Sequence, residues 1–346
     1  MKIEAQVQLA PRTTLGVGGP AAHYARVESE GDVLEALAWA SARELSVRVL
    51  GGGSNIVVSD SGFPGLVIEM ALRGVHSEAR GDVHVVRAAA GEPWDELVAS
   101  TVSAGQQGLE CLSGIPGRVG ATPIQNVGAY GQDVSETITE VVTLDVRERT
   151  RRVFSKAECE FSYRDSWFKS REPGRYVVTE VTFELRAGAA PAVRYAELER
   201  WFTSQNNPSP TLAEVRAAVI QLRRAKSMVL DASDPNSRSC GSFFVNPVLS
   251  AQELAAFNAR TEQESNVPRF PQPDGRVKLA AGWLIEHAGL ARGTRDGAVG
   301  LSTQHALALV AHEGACTADV ARFAERVQRA VYERFGVRLQ PEPVFW

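Results

Sequence analysis

The sequence predicts an α+β protein with more than one domain, and three observations support this prediction. First, its 346 residues exceed what a single hydrophobic core usually organises. Second, apolar residues occur at both helix and strand spacing, and the strand pattern dominates residues 138–185. Third, 44% hydrophobic and 23% charged residues are typical of a folded globular chain. A disordered, collagen-like or coiled-coil protein is therefore excluded.

Helix and strand signals occur along the whole chain. They predict seven helices. The first is capped by Asp32, the second begins at Pro93 and ends at Gly105, and the third covers 195–202. The fourth opens with the capping box of Thr211 and Glu214, the fifth is capped by Ser250, the sixth lies near 278–289, and the seventh runs from Thr317 to Gly336. Alternating apolar residues predict strands at 47–50, 142–146, 179–185 and 337–339. The loop 231–240, rich in Ser, Asp, Asn and Pro, is the strongest signal for a domain boundary.

The charge and the N-terminal sequence exclude several classes of function. The chain has 37 Lys and Arg against 41 Asp and Glu, which gives a net charge of -4 and a pI of about 6.0. Such a balance does not attract nucleic acid or an anionic membrane. The N-terminus lacks the apolar core of a signal peptide, and no run of 18 apolar residues follows. We therefore expect a cytoplasmic protein that binds neither nucleic acid nor membranes.

The cysteines and histidines predict neither a disulfide framework nor a metal site. The four cysteines, Cys111, Cys159, Cys240 and Cys316, are far apart and are expected to be reduced thiols. No two of the six histidines have the spacing of three or four residues that places two ligands on one helix face. We therefore expect no metal.

Three glycine-rich loops, at 15–19, 51–55 and 114–120, are candidates for a ligand site. Backbone amides without side chains can approach phosphate oxygens closely, which is why nucleotide sites use such loops. A Rossmann turn is excluded for the second loop, because residues 56–61 are too few for a crossover helix before Gly62. Any one loop is more simply a tight turn. The three together leave plain turns and a nucleotide-like cofactor as open alternatives.

Three polar residues are candidates for catalysis, although each has a simpler explanation. Ser242 lies beside aromatic residues and lacks the glycine that a nucleophile elbow requires, which favours a serine in a buried turn. Arg164 next to Asp165 is by default a solvated ion pair. Glu342 lies between two prolines on a tail that is expected to dock onto the protein. A docked acid is compatible with function but is more often structural.

Several motifs follow one another in a specific order. They are Asn55 after three glycines, the stretch 114–131 with Pro116 and with QNVGAYG at 125–131, YRDS at 163–166, GSFFVNP at 241–247, KLAAGWLI at 278–285, and Pro341 followed by Glu342. In this order the motifs resemble the family of bacterial UDP-N-acetylenolpyruvoylglucosamine reductases, in its longer subtype. The resemblance covers nearly the whole chain.

The resemblance implies a fold and a division into domains. Residues 1–226 would form an FAD-binding region of the vanillyl-alcohol-oxidase type, with subdomains at about 1–67 and 68–226. Residues 227–337 would form an α/β substrate-binding domain, and residues 338–346 a tail that returns to the active site. The implied protein is a monomer that holds FAD non-covalently and uses NADPH as its reductant.

The residues implied to bind FAD belong to the second and third glycine loops, the run that follows them and one helix. They are Gly51, Gly52, Gly53, Ser54, Asn55, Gly114, Pro116, Gly117, Gly120, Ala121, Gln125, Asn126, Gly128, Ala129, Tyr130 and Arg223.

The resemblance also implies a reaction in peptidoglycan precursor synthesis. NADPH reduces FAD, and the enolpyruvyl sugar nucleotide then takes a hydride at its methylene carbon to become UDP-N-acetylmuramate. Ser242 would protonate the adjacent carbon, while Arg164 and Glu342 would stabilise the charge that builds on the carboxylate. The implied substrate-binding residues are Tyr195, Lys226, Asn246 and His287.

Two details depart from the family's pattern, and two other functions stay open. The segment 226–242 is longer than in the related forms, which leaves the position of Lys226 open, and His287 stands where a glutamine is expected. One alternative is a different flavin oxidoreductase on the same fold. The other is a nucleotide-sugar binding module without catalysis.

Overall fold

A computed structural model of the chain describes residues 1–261, 264 and 266–346. In these residues the strands are β1 (Ile3–Gln8), β2 (Pro20–Val27), β3 (Val47–Leu50), β4 (Ile56–Val57), β5 (Phe63–Met70), β6 (Val75–Arg80), β7 (Val83–Ala89), β8 (Gln106–Gln107), β9 (Gly128–Ala129), β10 (Gln132–Asp133), β11 (Ile138–Asp145), β12 (Arg151–Ser155), β13 (Tyr176–Ala187), β14 (Val248–Leu249), β15 (Arg269–Pro271), β16 (Val277–Leu279), β17 (Arg295–Asp296), β18 (Val299–Leu301), β19 (Leu309–Ala311) and β20 (Val344–Phe345). The helices are α1 (Glu30–Ser41), α2 (Trp94–Ser103), α3 (Thr122–Gln125), α4 (Trp167–Ser170), α5 (Ala196–Ser204), α6 (Leu212–Ala225), α7 (Ala251–Arg260), α8 (Ala281–His287) and α9 (Thr317–Phe335).

These elements form two compact units, each made of separate stretches of chain. The first unit contains residues 1–7, 21–52 and 64–229, and the second contains residues 8–20, 53–63 and 230–346. The units are defined by packing, whereas the predicted domains are defined by the ligands they would hold. The predicted domain boundaries therefore stay a prediction.

The first unit contains two larger sheets and their covering helices. One sheet has the strand order β1-β2-β5-β3, in which β3 and β5 are parallel. The other has the order β12-β11-β13-β7-β6, with antiparallel neighbours and with β8 added beside β13. Helix α1 buries Val33 and Leu37, and α2 buries Leu97 and Val98, in the core that these sheets share.

The second unit contains two three-stranded sheets, β14-β16-β15 and β17-β18-β19, together with α7, α8 and α9. Helix α9 buries the apolar stripe that its sequence predicts: Val320, Phe323, Val327, Val331 and Phe335. Leu15, Val17 and Val57 join the same core from the N-terminal stretches of this unit. Burying each such side chain contributes about 1.5–3 kcal/mol, which holds these stretches in place.

Both ends of α9 are fixed by contacts that its sequence only partly reveals. Asp60 accepts hydrogen bonds from the backbone amides of Thr317 (2.7 Å) and Ala318 (2.9 Å), so a carboxylate lies at the positive end of the helix dipole. At the other end Gly336 has φ +72°, the left-handed conformation that ends helices. The predicted stop at Gly336 is confirmed.

Several local predictions are confirmed, two are wrong, and one predicted helix is present but shorter than expected. The capping box that opens α6 is present as expected, and Ser250 caps α7 as expected, in a capping box with Glu253. Ser29, not Asp32, caps α1, because its side chain accepts the amide of Asp32. Residues 337–339 form no strand; β20 lies further on and pairs with β4 in parallel. The helix expected near 278–289 begins only at Ala281, since Lys278 pairs in β16.

Candidate active site

The second and third glycine loops approach each other within the first unit. A Cβ atom on Gly52 would lie 2.7 Å from the Cα atom of Gly117, closer than real contacts allow. A Cβ atom on Gly51 would meet Arg118 and Ala121 at ordinary distances of 3.6–4.0 Å. The structure therefore brings two of the three candidate glycine loops together.

The third loop is fixed at both of its ends. Gly120 donates its amide to the Ala90 carbonyl oxygen (2.9 Å), and a Cβ atom on Gly120 would lie 2.6 Å from the Cβ atom of Ala90. Gly114 donates its amide to Asp95 (2.6 Å), which also accepts two hydrogen bonds from Arg216 at 2.6 and 2.8 Å. Burial alone would raise the pKa of Asp95, but Arg216 and the Gly114 amide outweigh burial and lower it.

Arg223 lies beside Gly114 and has a buried donor without a partner. Its Nε is buried and makes no hydrogen bond, whereas one terminal nitrogen donates to the Met228 carbonyl oxygen (2.8 Å). Burial lowers the pKa of Arg223, although Tyr130 and Asp95 act in the opposite direction. Such an unpaired buried donor is costly unless a ligand satisfies it. The position therefore fits a cofactor that presents an acceptor oxygen or nitrogen.

The run 125–131 continues this surface with unusual backbone geometry. Asn126 and Tyr130 have φ of +43° and +49°. The Asn126 side chain donates to the Ser162 carbonyl oxygen (2.8 Å) and accepts from the Ser135 amide (3.2 Å). These bonds offset the cost of a left-handed residue and fix the loop. Gly128 and Ala129 follow as β9, and Gln125 precedes them, buried at the end of α3.

Arg164 places its guanidinium on this loop. One terminal nitrogen donates to the Gly128 carbonyl oxygen (2.5 Å), and the other lies 3.4 Å from the Asn126 carbonyl oxygen and 3.8 Å from an Asp133 carboxylate oxygen. The expected ion pair with Asp165 is wrong, because the chain turns at Arg164. Asp165 instead accepts hydrogen bonds from the amide of Ser166 and the hydroxyl of Ser170.

Tyr130, Tyr195 and Lys226 form a cluster at the C-terminal end of α6. The two tyrosine rings meet edge to face with centroids 5.5 Å apart, and the Lys226 ammonium lies 5.6 Å from the Tyr130 ring centroid. Lys226 also pairs with Glu197 at 2.5 Å. Burial raises the pKa of Tyr130. Tyr195 remains 44% exposed, so its ring is available for contacts with a ligand.

In the second unit, the tail returns to the segment that follows the glycine triplet. Gly53 has φ +64°, and a Cβ atom there would lie 2.0 Å from the Arg12 carbonyl oxygen. Ser54 follows, and Asn55 accepts a hydrogen bond from the Val344 amide (3.0 Å). The Asn55 side chain donates to the carbonyl oxygen of Glu342 (3.4 Å).

The same tail places Glu342 beside the serine motif. The Glu342 amide donates to the Phe243 carbonyl oxygen (2.9 Å), and Phe244 pairs with Pro341. Ser242, half-buried, immediately precedes this pairing. Burial raises the pKa of the nearby Cys240 thiol to about 12, and the charge of Glu342 adds to the effect. Ser242 and Glu342, 100 positions apart, are therefore brought into one part of the second unit.

Asn246 and His287 have structural contacts of their own in this unit. Asn246 accepts a hydrogen bond from the Ala281 amide (2.8 Å) and so caps α8. His287 stacks on Trp283 of its own helix, with ring centroids 3.8 Å apart, and its Nδ1 lies 2.9 Å from the Trp283 carbonyl oxygen. Substrate contacts by Asn246 and His287 stay predictions, and so does FAD binding by Pro116, which lies in the third loop.

Sequence reasoning did not single out Asp95, Lys169 or Glu197. Asp95 and Glu197 are first-turn acids of α2 and α5, and such acids are usually explained by the helix dipole alone. Lys169 lies five residues after Arg164, beyond the end of the YRDS motif at 163–166. In the described part of the chain, no three metal-binding side chains cluster, and no helix is long and apolar enough to cross a membrane.

Comparisons with known proteins agree with this geometry. Residues 21–151 match a family model described as an FAD binding domain, and residues 234–346 match one described as the C-terminal domain of UDP-N-acetylenolpyruvoylglucosamine reductase. UDP-N-acetylenolpyruvoylglucosamine reductases of Thermobifida fusca and Salinispora arenicola are 49% and 46% identical to this chain, over 98% and 99% of it and 96% and 95% of their own length. The solved UDP-N-acetylenolpyruvylglucosamine reductase of Thermus caldophilus is 27% identical, with a TM-score of 0.68 over 100% of this chain and 99% of that one.

Proposed function

This chain belongs to the family of UDP-N-acetylenolpyruvoylglucosamine reductases, and from this premise we propose its reaction. It is an FAD-dependent oxidoreductase that uses NADPH to reduce UDP-N-acetylglucosamine enolpyruvate to UDP-N-acetylmuramate. The observation that carries the proposal is the pairing of the C-terminal tail within the second unit. There Glu342 forms hydrogen bonds with Phe243, which follows Ser242, and with the side chain of Asn55. The product serves peptidoglycan synthesis and, through the cell wall, cell shape and division.

The residues of the first unit fit an FAD molecule. Gly52 and Gly117 form a close backbone approach, and glycine loops of this kind can accommodate a pyrophosphate. Arg223 offers the buried donor described above, which suits the acceptor atoms of a flavin ring. Bound FAD supplies the hydride chemistry, which no side chain of the protein can provide. We propose that it is held non-covalently.

The proposed catalytic residues are Arg164, Ser242 and Glu342. Hydride addition at the methylene carbon of the substrate moves an electron pair toward the α-carbon and the carboxylate. A fixed guanidinium at Arg164 and the carboxyl group of Glu342 stabilise this negative charge. The hydroxyl of Ser242 then donates its proton to the α-carbon, which completes the reduction.

We propose that the Tyr130 cluster of the first unit holds the sugar nucleotide. Lys226 supplies a positive charge for the diphosphate, and the exposed ring of Tyr195 covers it. Asn246 and His287 are further proposed substrate-binding residues. We also propose a cytoplasmic monomer, and its net charge of -4 does not attract nucleic acid or an anionic membrane.

An anaerobic two-step experiment tests this function. NADPH is expected to bleach the flavin of the purified yellow protein, and UDP-N-acetylglucosamine enolpyruvate is expected to restore its colour without oxygen. Restoration by oxygen or by an alcohol alone would support a different flavin oxidoreductase. A colourless protein that binds the sugar nucleotide without oxidising NADPH would indicate a binding module.

A further inference from the structure

We propose that Lys169 is a positioning residue for Arg164, an inference that rests on the proposed function. Lys169 lies in α4, the short helix that follows the Arg164 turn. Its ammonium donates a hydrogen bond to the carbonyl oxygen of Arg164 (2.7 Å) and another to the side-chain oxygen of Gln125 (3.0 Å). One cation therefore joins the turn that carries Arg164 to the loop on which its guanidinium lies.

The backbone of Arg164 needs such support. Its φ of +55° lies in the left-handed region, which residues other than glycine avoid. Ser162 and Asp165 close the turn by exchanging two backbone hydrogen bonds of 3.1 and 3.2 Å. A charged donor on the Arg164 carbonyl oxygen fixes the peptide group that follows Arg164 and so helps set the direction of its side chain.

The second hydrogen bond of Lys169 connects it to Gln125, in the loop that also binds the Arg164 guanidinium. Gln125 is buried and precedes the Asn126 and Gly128 carbonyl oxygens that accept from Arg164. Lys169 thus ties the backbone of Arg164 to the same loop that binds its guanidinium. The backbone and the guanidinium of Arg164 are therefore both held, so its side chain has lost rotamer freedom before a substrate binds. This favours a reaction that needs the Arg164 charge in one fixed position.

The structure also indicates that a neutral residue at 169 would leave α4 folded. The neighbouring Phe168 is buried and packs edge to face against Phe154 and Tyr176, with ring centroids 4.9 and 6.4 Å away. Ser166 adds a separate hydrogen bond to the Ile124 carbonyl oxygen (2.8 Å). Lys169→Met keeps the aliphatic stem and removes only the charged donor.

A double-mutant cycle tests the proposal in the FAD-loaded protein. The rate of flavin reoxidation by the enolpyruvyl sugar nucleotide is measured for the wild type, Lys169→Met, Arg164→Met and the double variant. Loss of one charge-assisted hydrogen bond is expected to slow Lys169→Met about 10-fold or more, with a smaller change in KM. Because Lys169 acts through Arg164, the double variant is expected to be no slower than Arg164→Met.

Three comparisons make the outcome decisive. Lys156→Met is the matched control, since Lys156 also donates to a backbone carbonyl oxygen, that of Glu136, and should react at the wild-type rate. Lys169→Arg should recover part of the lost rate. The rate of each variant is expressed per bound flavin, because Lys169 also contacts Gln125, which is one of the proposed FAD-binding residues.

The contrary outcomes are equally definite. Losses that multiply in the double variant, or a wild-type rate in Lys169→Met, would overturn the positioning role. Loss of flavin from Lys169→Met that accounts for its slower rate would overturn it as well. A wild-type protein that fails to reoxidise with the sugar nucleotide would instead refute the proposed function, so the two failures are distinguishable.

Discussion

At the scale of single residues, the Lys226 ammonium has two negatively charged partners: the Glu197 carboxylate and, in the proposed complex, the substrate. In the structure its ammonium pairs with Glu197, and in the proposed complex it meets the diphosphate of the substrate. Both side chains are partly exposed, so the ion pair is weak enough to exchange. In the proposed complex Glu197 would therefore compete with the substrate for this cation.

We expect Glu197→Gln to lower the KM for the sugar nucleotide by about 2- to 5-fold, the range of a partly exposed ion pair, with little change in kcat. Steady-state kinetics at low ionic strength measure this change. Glu199→Gln is the matched control, because Glu199 lies in the same helix and is exposed. A higher KM in Glu197→Gln would mean that Glu197 orients Lys226 for binding.

Ser242→Ala addresses the proton that completes the reduction. Flavin reduction by NADPH should proceed at the wild-type rate, whereas reoxidation by the sugar nucleotide should slow by about 100-fold or more, the usual effect of losing a general acid. Stopped-flow measurements resolve the two half-reactions. An equal loss in both halves would refute the role of Ser242 as the proton donor.

At the scale of elements, we expect the close approach of the two glycine loops to determine how the cofactor is held. A methyl group on Gly52 would collide with the backbone of Gly117, which no side-chain rotation can relieve. We expect Gly52→Ala to weaken FAD binding about 10-fold or more, since overpacking of this kind costs about 1–3 kcal/mol. Flavin fluorescence on dilution measures the affinity.

The control for Gly52→Ala is Gly31→Ala in α1 of the same unit. A Cβ atom on Gly31 would lie 3.6 Å from its nearest neighbour, the Ser29 hydroxyl, so the change should leave FAD affinity unaltered. Equal affinity in both variants would show that the loop approach does not shape the cofactor site.

The elements also show how far sequence reasoning reaches. The capping box of Thr211 and Glu214 and the stop at Gly336 were predictable because each signal lies within one turn of helix. The strand at 344–345 was not predictable, because its partner is Ile56 in a different part of the sequence. The Arg164 site shows the same limit: its motif is local, but its contacts with Gly128 and Lys169 depend on how the chain folds.

At the scale of the whole molecule, the net charge and the local charges predict opposite effects of salt. A chain of net charge -4 repels an anionic sugar nucleotide at long range, and salt would weaken this repulsion and lower KM. Attraction by Arg164 and Lys226 is also screened by salt, and its loss would raise KM.

We expect the local attraction to dominate, because the cations and the bound anion are within a few ångströms of each other in the proposed complex. KM should therefore rise several-fold between about 0.01 M and 0.15 M salt, where the Debye length falls from about 30 to about 8 Å. Lys226→Met should show a smaller rise. A KM that falls with added salt would show that net charge governs binding.

The composition of the second unit has a consequence for biosynthesis. Its stretches at 8–20 and 53–63 leave the ribosome early, but the core that buries Leu15, Val17 and Val57 belongs to residues 230–346. The first unit, whose residues all precede 230, can close while these three side chains still lack their partners. During most of its synthesis the growing chain therefore leaves these three apolar side chains without their core partners. Chaperones that bind exposed apolar segments would act on this protein before its last strand is made.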